Sequence, residues 1–361
     1  MKDYAVYGVS QAEAWHEVLS KVNGADIYFT PEYGRLAENN GEGTSRLFVY
    51  REGDAVVCYP FLMRSLRELG LASIRQEGRE LFDIISPYGY GGPIANVEHT
   101  GETEPFFGRF AEVFEAFCGE NGIIAEFVRF HPLLNNYRNY PSVKPEYIRN
   151  TVHIDLTGPG TDVLDSLTAG CRNRVRYAQK HGVTVTREQP PGLDVFLNLY
   201  YATMDKNKAN AYYYFSEGYF SNMLDFLRES ADLFVTRLGG HVIASTFFLR
   251  YGDYVSYHLT GSDKEYLKYA PYNLLLTEAA NWYKAQGCKY LHLGGGYTGN
   301  DELFRFKSTF NKMQPPLDFY IGRKIHCPVT YERICSGLPV KSDYFPAYRD
   351  PLLVKGEVKQ M

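Results

Sequence analysis

Apolar and polar positions along this chain fall into two similar blocks. Residues 47–64 (LFVYREGDAVVCYPFLMR) run as an apolar, β-branched stretch, a glycine-containing turn and a second apolar stretch, which is the pattern of a β-hairpin. Residues 233–250 (LFVTRLGGHVIASTFFLR) repeat it 186 positions later. Eight of the eighteen positions are identical: Leu47/Leu233, Phe48/Phe234, Val49/Val235, Arg51/Arg237, Gly53/Gly239, Val56/Val242, Phe61/Phe247 and Arg64/Arg250. Any two hairpins share valines and a glycine, but ungapped identity across both strands and the turn favours duplication.

The flanks agree. After the second hairpin the pattern predicts a strand at 253–261 and a helix at 271–287, opened by Pro271 and stopped by Gly287. A strand at 288–296 then runs into a glycine turn, and a short helix over 301–310 has Asp301 as its cap. After the first hairpin come an extended, turn-rich segment at 83–94, a helix over 103–122 and a strand at 123–130. Upstream of the second hairpin the reading is strand 151–156, helix 161–182, extended 183–188 and helix 194–207. The expected fold class is α+β, with two tandem domains of mixed sheet flanked by helices. The expected boundaries are 1–148, 149–325 and a tail at 326–361 packed on a domain, with Tyr140, Pro141 and Pro145 breaking the structure between the domains.

Composition changes this picture little. The 361 residues carry 38 Lys+Arg against 42 Asp+Glu, a net charge of −4, which argues against a dedicated duplex-DNA binder. The 31 Tyr and 23 Phe beside 2 Trp read either as a tyrosine-rich core or as surfaces for a large ligand of mixed polarity. Six scattered cysteines form no CxxC pair, no run approaches a membrane span, and the first residues contain no apolar leader. These features predict a soluble, cytoplasmic protein with no metal.

The order hairpin, strand, helix, strand is that of GCN5-related N-acyltransferases (GNAT). Several segments also resemble the FemABX-like (Fem) family of non-ribosomal peptidyl and aminoacyl transferases, whose members carry two such domains. They are YFTPEYGRLAE (28–38), SPYGYGGP (86–93), RNRVRYAQKHGVTV (172–185), FLNLYYATMDKNKANAYYYFSEGYF (196–220), YHLTGS (257–262) and LHLGGGYTGNDELFRFKSTF (291–310). The resemblance spans roughly residues 27–320. It implies transfer of an amino acid from aminoacyl-tRNA to an amine of a UDP- or lipid-linked muramyl peptide, with no cofactor beyond the charged tRNA. The helical arm that some members insert in the second domain has no counterpart here, and the basic residue that arm-less members carry after the PEY-like motif has Arg35 as its nearest match.

Amine attack on an ester needs a neutral amine, a positioned carbonyl and stabilisation of the oxyanion. No Cys/His or Ser/His/Asp spacing suggests a covalent intermediate. Lys307 of FRFK is the candidate cation. In a helix starting near Asp301 it shares a face with Phe304, while Arg305 points elsewhere. A solvated amphipathic turn is the alternative, and the family's functional lysine favours the catalytic reading. Gly294, Gly295 and Gly296 permit close approach of a donor, with Arg305 nearby. No Rossmann fingerprint is present, and residues 149–325 carry no R/Q-x-x-G-x-G/A pyrophosphate loop of the kind that acetyl-CoA-binding members have.

Lys206 and Lys208 before Tyr212, Tyr213 and Tyr214 suit a diphosphate or an RNA end, or form a solvated loop with one buried Tyr. Arg172, Arg176 and Lys180 recur every four residues, as a solvated helix face or an RNA contact. By resemblance, Asp83, Tyr88 and Tyr90 hold the acceptor's peptide stem in the first domain, and Tyr257 faces the same cleft. His258 and His292 read as core histidines more readily than as bases. An acyl-CoA N-acyltransferase and a non-catalytic binding module for cell-wall precursors are the competing classes.

Overall fold

The structure, a computed structural model, describes residues 4–71, 74, 78–189, 191–338 and 342–351. The chain divides into two compact units, residues 1–148 with 319–361, and residues 149–318. Parts of the expected tail, at 339–341 and 352–361, lie outside the described residues. Among the described residues no helix is long and apolar enough to cross a membrane.

Unit 1 runs β1 (Tyr4–Gly8), α1 (Ala12–Leu19), α2 (Pro31–Asn39), β2 (Thr44–Glu52), β3 (Ala55–Ser65), β4 (Phe82–Ile85), β5 (Ile94–Ala95), α3 (Glu104–Glu120) and β6 (Ile123–Arg129). Unit 2 contains most of β7 (Glu146–Asp155), then α4 (Ala169–Lys180), β8 (Val183–Glu188), α5 (Leu193–Lys206), α6 (Glu217–Leu227), β9 (Ala231–Leu238), β10 (His241–Tyr251), β11 (Tyr254–Ser262), α7 (Pro271–Ala285), β12 (Tyr290–Gly294) and α8 (Glu302–Ser308). The chain then returns to unit 1 with β13 (Leu317–Ile325) and α9 (Pro328–Ser336).

The two sheets share the order of their first five strands, and the sixth is the last strand of unit 1 but the first of unit 2. In unit 1 the order is β1-β2-β3-β4-β6-β13, and in unit 2 β8-β9-β10-β11-β12-β7. The fourth and fifth strands pair in parallel in both, β4 with β6 and β11 with β12. The repeated hairpins are the second and third strands of each sheet. Their turns are superposable in register, with Arg51 opposite Val56 and Arg237 opposite Val242. Gly53 and Gly239 both take φ +57°, a left-handed backbone that excludes most side chains. Past the turn, a bulge between Val242 and Ala244 shifts the second hairpin by one residue.

Unit 1 is an aromatic core. Phe106, Phe107, Phe110, Phe114 and Phe117 recur at helical spacing on α3 and bury against Phe48, Tyr50, Tyr59 and Phe61 of the hairpin. Several tyrosines belong to such cores, with hydroxyls placed on buried carboxylates. Tyr59 and Tyr140 donate to Glu126 (2.5 and 3.0 Å), with His326 Nε2 at 2.9 Å from the same carboxylate, and in unit 2 Tyr283 donates to Asp232 (2.9 Å). The repeated arginines serve the same purpose: Arg64 pairs with buried Asp83 (2.6 Å) and Arg250 with buried Asp232 (3.3 Å).

Two expectations need correction. The helix expected over 161–182 begins only at Ala169, because the Thr168 hydroxyl accepts from Cys171 N and caps it there. Residues 319–325, assigned from sequence to the second domain, belong to unit 1, where β13 pairs with β6 from Ile321↔Arg129 to Ile325↔Ala125. The described part of the tail packs into unit 1: α9 buries Ile334, Tyr348 is 1% exposed, and Arg349 reaches Asp83.

In unit 2, α5 lies on β11, and Gly261 is the point of contact. A Cβ there would collide with the backbone of Leu199 and Tyr200. Gly261→Ala is therefore expected to lower the stability by about 1–3 kcal/mol through overpacking, read as an earlier denaturant midpoint, whereas Gly170→Ala, facing open space, is not.

Candidate active site

The site in unit 2 is assembled where β12 ends and α8 begins. Asp301 caps α8, accepting from Phe304 N (2.9 Å), and its other oxygen accepts from Tyr297 N (2.6 Å) and Thr298 N (3.0 Å). These backbone bonds hold its carboxyl below the usual range. Arg149 fixes the same loop by donating to the carbonyls of Gly296 (2.7 Å) and Tyr297 (2.8 Å). The glycines have local reasons. Gly294 takes φ +72°, a Cβ on Gly295 would lie 2.8 Å from the Asn150 carbonyl, and one on Gly296 would overlap the Asp301 carboxylate.

Phe304 and Lys307 share the buried face of α8, and Arg305 lies on the exposed face, where it donates to Asn300 O (3.4 Å). Phe304 packs into the unit 2 core, so its part is to anchor the helix. Lys307 is 7% exposed. Its Nζ donates to Gly295 O (2.8 Å) and stands 5.7 Å from the centre of the Tyr257 ring. Burial pulls its pKa down from 10.5 to about 8, opposed by the Asp301 charge. Such a group is cationic near neutrality and close to the point of releasing a proton. Tyr257 is half-buried on β11, and burial, then neighbouring Tyr272, pushes its phenol far up. Thr260 joins the surroundings, donating to Tyr272 (3.0 Å) and lying 2.8 Å from Thr246. His258, beside the Tyr219 hydroxyl (3.3 Å), is driven by burial to about 3 and stays neutral. His292 is buried against Thr151 (3.0 Å).

The other candidates in unit 2 lie on a separate surface turn between α5 and α6. Lys206 and Lys208 are exposed, Lys208 with φ +48°. Tyr212, Tyr213 and Tyr214 are 46, 38 and 39% exposed, and Tyr214 donates to Asp205 (2.9 Å). The alternative of one buried tyrosine in that triplet does not hold. Arg172 is engaged within its own unit, donating to the carbonyls of Leu164 (3.3 Å) and Leu167 (2.6 Å), while Arg176 and Lys180 are exposed.

In unit 1, Arg35 lies on the exposed face of α2. Tyr88 accepts through its carbonyl from the Tyr33 hydroxyl (2.7 Å), and the Tyr90 ring packs edge-on against Tyr28 and His131. Asp83 does not fit the acceptor reading. It is fully buried, and Arg64 and Arg349 each hold one of its oxygens at 2.6 Å, so it is a structural anchor rather than a ligand contact.

Sequence reasoning read Asp301 only as a cap and passed over Arg149, which is 147 positions from Gly296 and has no local signature.

Residues 167–308 match the family model described as Acetyltransferase (GNAT) domain, a span that ends one residue beyond Lys307. Unit 2 carries a GNAT acyltransferase domain. Among solved structures, FemX superposes with a TM-score of 0.64 at 13% identity, covering 91% of this chain and 98% of FemX. A conserved protein of unknown function from Bacteroides thetaiotaomicron superposes with a TM-score of 0.54 at 11% identity, covering 90% of this chain and 99% of that one. No curated protein sequence matches. At these identities the likeness is one of fold: the chain has the tandem GNAT fold that the FemABX-like resemblance implies, with the GNAT match falling on the unit that holds Lys307.

Proposed function

We propose that this acyltransferase moves an amino acid from aminoacyl-tRNA to an amine of a peptidoglycan precursor or a related peptide, in the cytoplasm, by direct attack. The observation that carries the reading is Lys307, a buried ammonium on the Gly295 carbonyl at the start of the glycine turn, inside a GNAT domain. The acceptor nitrogen forms a bond to the ester carbonyl carbon, the carbon–oxygen ester bond breaks, and a proton passes from nitrogen to the departing ribose oxygen. A group with a pKa of about 8 is suited both to meeting the oxyanion and to supplying that proton.

Residues 149–325 lack the R/Q-x-x-G-x-G/A pyrophosphate loop of acetyl-CoA-binding members, and α7 opens on Ala270 and Pro271. That favours a donor other than CoA. Incubation with mixed charged tRNAs and a UDP-linked muramyl pentapeptide, read by mass spectrometry, is expected to yield the acceptor extended by one amino acid. Modification with acetyl-CoA but not with charged tRNA would move the assignment to an acyl-CoA N-acyltransferase.

The exposed Tyr212 ring is proposed to pack on the acceptor. Tyr212→Ala is expected to raise the acceptor KM by the equivalent of about 1–3 kcal/mol while kcat holds. An unchanged KM with an intact fold would remove Tyr212 from the site.

A further inference from the structure

A run of rings and cations crosses the surface of unit 2. On α4 the Arg174 guanidinium stands 4.9 Å from the centre of the Tyr177 ring, and Tyr177 is 4.0 Å from His181, centroid to centroid. The run then leaves the helix. His181 is 5.9 Å from Tyr269, Tyr269 is 6.2 Å from Tyr266, and Tyr266 is 5.3 Å from His241 at the start of β10. The Lys268 ammonium lies 5.4 Å from the Tyr269 ring. Arg174, Tyr177, His181, Lys268 and His241 are exposed, and Tyr266 and Tyr269 are half-buried with their inner edges on the core.

The framework is braced. Arg174 Nη2 donates to Lys268 O (2.8 Å), tying α4 to the segment before α7, and His181 Nδ1 lies 2.8 Å from Tyr177 O. Five rings drawn from three elements are thus held as neighbours.

We propose that this ladder binds single-stranded RNA by stacking unpaired bases on its rings, with Arg174 and Lys268 meeting the phosphates. The identity of that RNA as the unpaired segment of the donor rests on the aminoacyl-tRNA reading above. Rings rather than charge dominate the surface, because Asp263 (3.9 Å from His241) and Glu265 lie at one end against Arg174, Lys264 and Lys268. A surface built for a lipid bilayer or for duplex backbone would normally draw on a cationic excess that the chain as a whole, with 38 Lys+Arg against 42 Asp+Glu, does not supply. Base stacking on successive rings needs no such excess.

The test is fluorescence anisotropy with a labelled, unstructured twelve-nucleotide RNA, the duplex of the same sequence, and uncharged tRNA. The parent is expected to prefer the single strand to the duplex. Tyr177→Ala is expected to weaken single-strand binding by roughly 5- to 100-fold, with the midpoint of thermal unfolding unchanged. Arg174→Gln is expected to lower the salt slope by about one. Parent and Tyr177→Ala binding alike, no measurable binding by the parent, or equal affinity for duplex and single strand would each overturn the proposal. The two readings fail separately. Aminoacyl transfer from charged tRNA with no effect of Tyr177→Ala on its KM removes the ladder and keeps the function. Ladder-dependent RNA binding without aminoacyl transfer does the reverse.

Discussion

Lys307→Met is expected to lower kcat by about 10²–10³, or roughly 3–4 kcal/mol, and to leave the acceptor KM within a few-fold. The methionine keeps the length of the stem in a site that is 7% exposed, so the helix and the Phe304 packing persist while the charge is removed. Arg305→Met, on the exposed face of the same helix, is expected to change kcat far less. The pH dependence carries the same signature. Because the parent's Lys307 loses its proton as pH rises through about 8, kcat is expected to fall above that pH, and the descending limb should be absent from Lys307→Met. Stability moves the other way. The shift from 10.5 to about 8 makes the buried ammonium cost on the order of 3 kcal/mol below pH 8, a cost relieved as pH rises from about 8 towards 10.5. The methionine variant is therefore expected to be at least as stable as the parent at pH 7. A variant that turns over like the parent would end the catalytic role of FRFK.

Asp83→Ala is expected to destabilise unit 1 by about 3–5 kcal/mol in urea denaturation. The substitution leaves Arg64 and Arg349, each little exposed, facing a vacated anion site. It severs the link between β3, β4 and the segment that follows α9. Asp83→Asn, which keeps the shape and loses the charge, is expected to fall between the two. If instead Asp83→Asn kept the parent's stability and raised only the acceptor KM, the anchoring role would be wrong.

Asp83 also shows how far the sequence could be read. The motif neighbourhood located it, but its partner Arg349 lies 266 positions away, and no local pattern distinguishes a carboxylate awaiting a ligand from one already saturated. The hairpins were legible because strand alternation and a left-handed glycine are local properties, and Gly53 and Gly239 take the same φ. Lys307 and Phe304 were legible for a similar reason: a cap at Asp301 sets the helical phase, and the phase decides which side chains are buried. What stayed hidden depends on chain segments meeting from far apart. Arg149 clamps the glycine loop from the strand that opens unit 2, and the aromatic ladder joins α4, β10 and the segment before α7.

The return of the chain to unit 1 has a consequence for synthesis on the ribosome. Unit 2 is one uninterrupted stretch, 149–318, whereas the sheet of unit 1 lacks its last strand until β13 has been made. At ordinary translation speeds the intervening chain takes roughly 10–40 s to emerge, so the unit that starts first finishes last. Through that interval the nascent protein carries β6 with one side unpaired, a template for adding a foreign strand. Ribosome stalling or early termination within unit 2 would release such a half-made sheet, making the N-terminal half the part most dependent on chaperones.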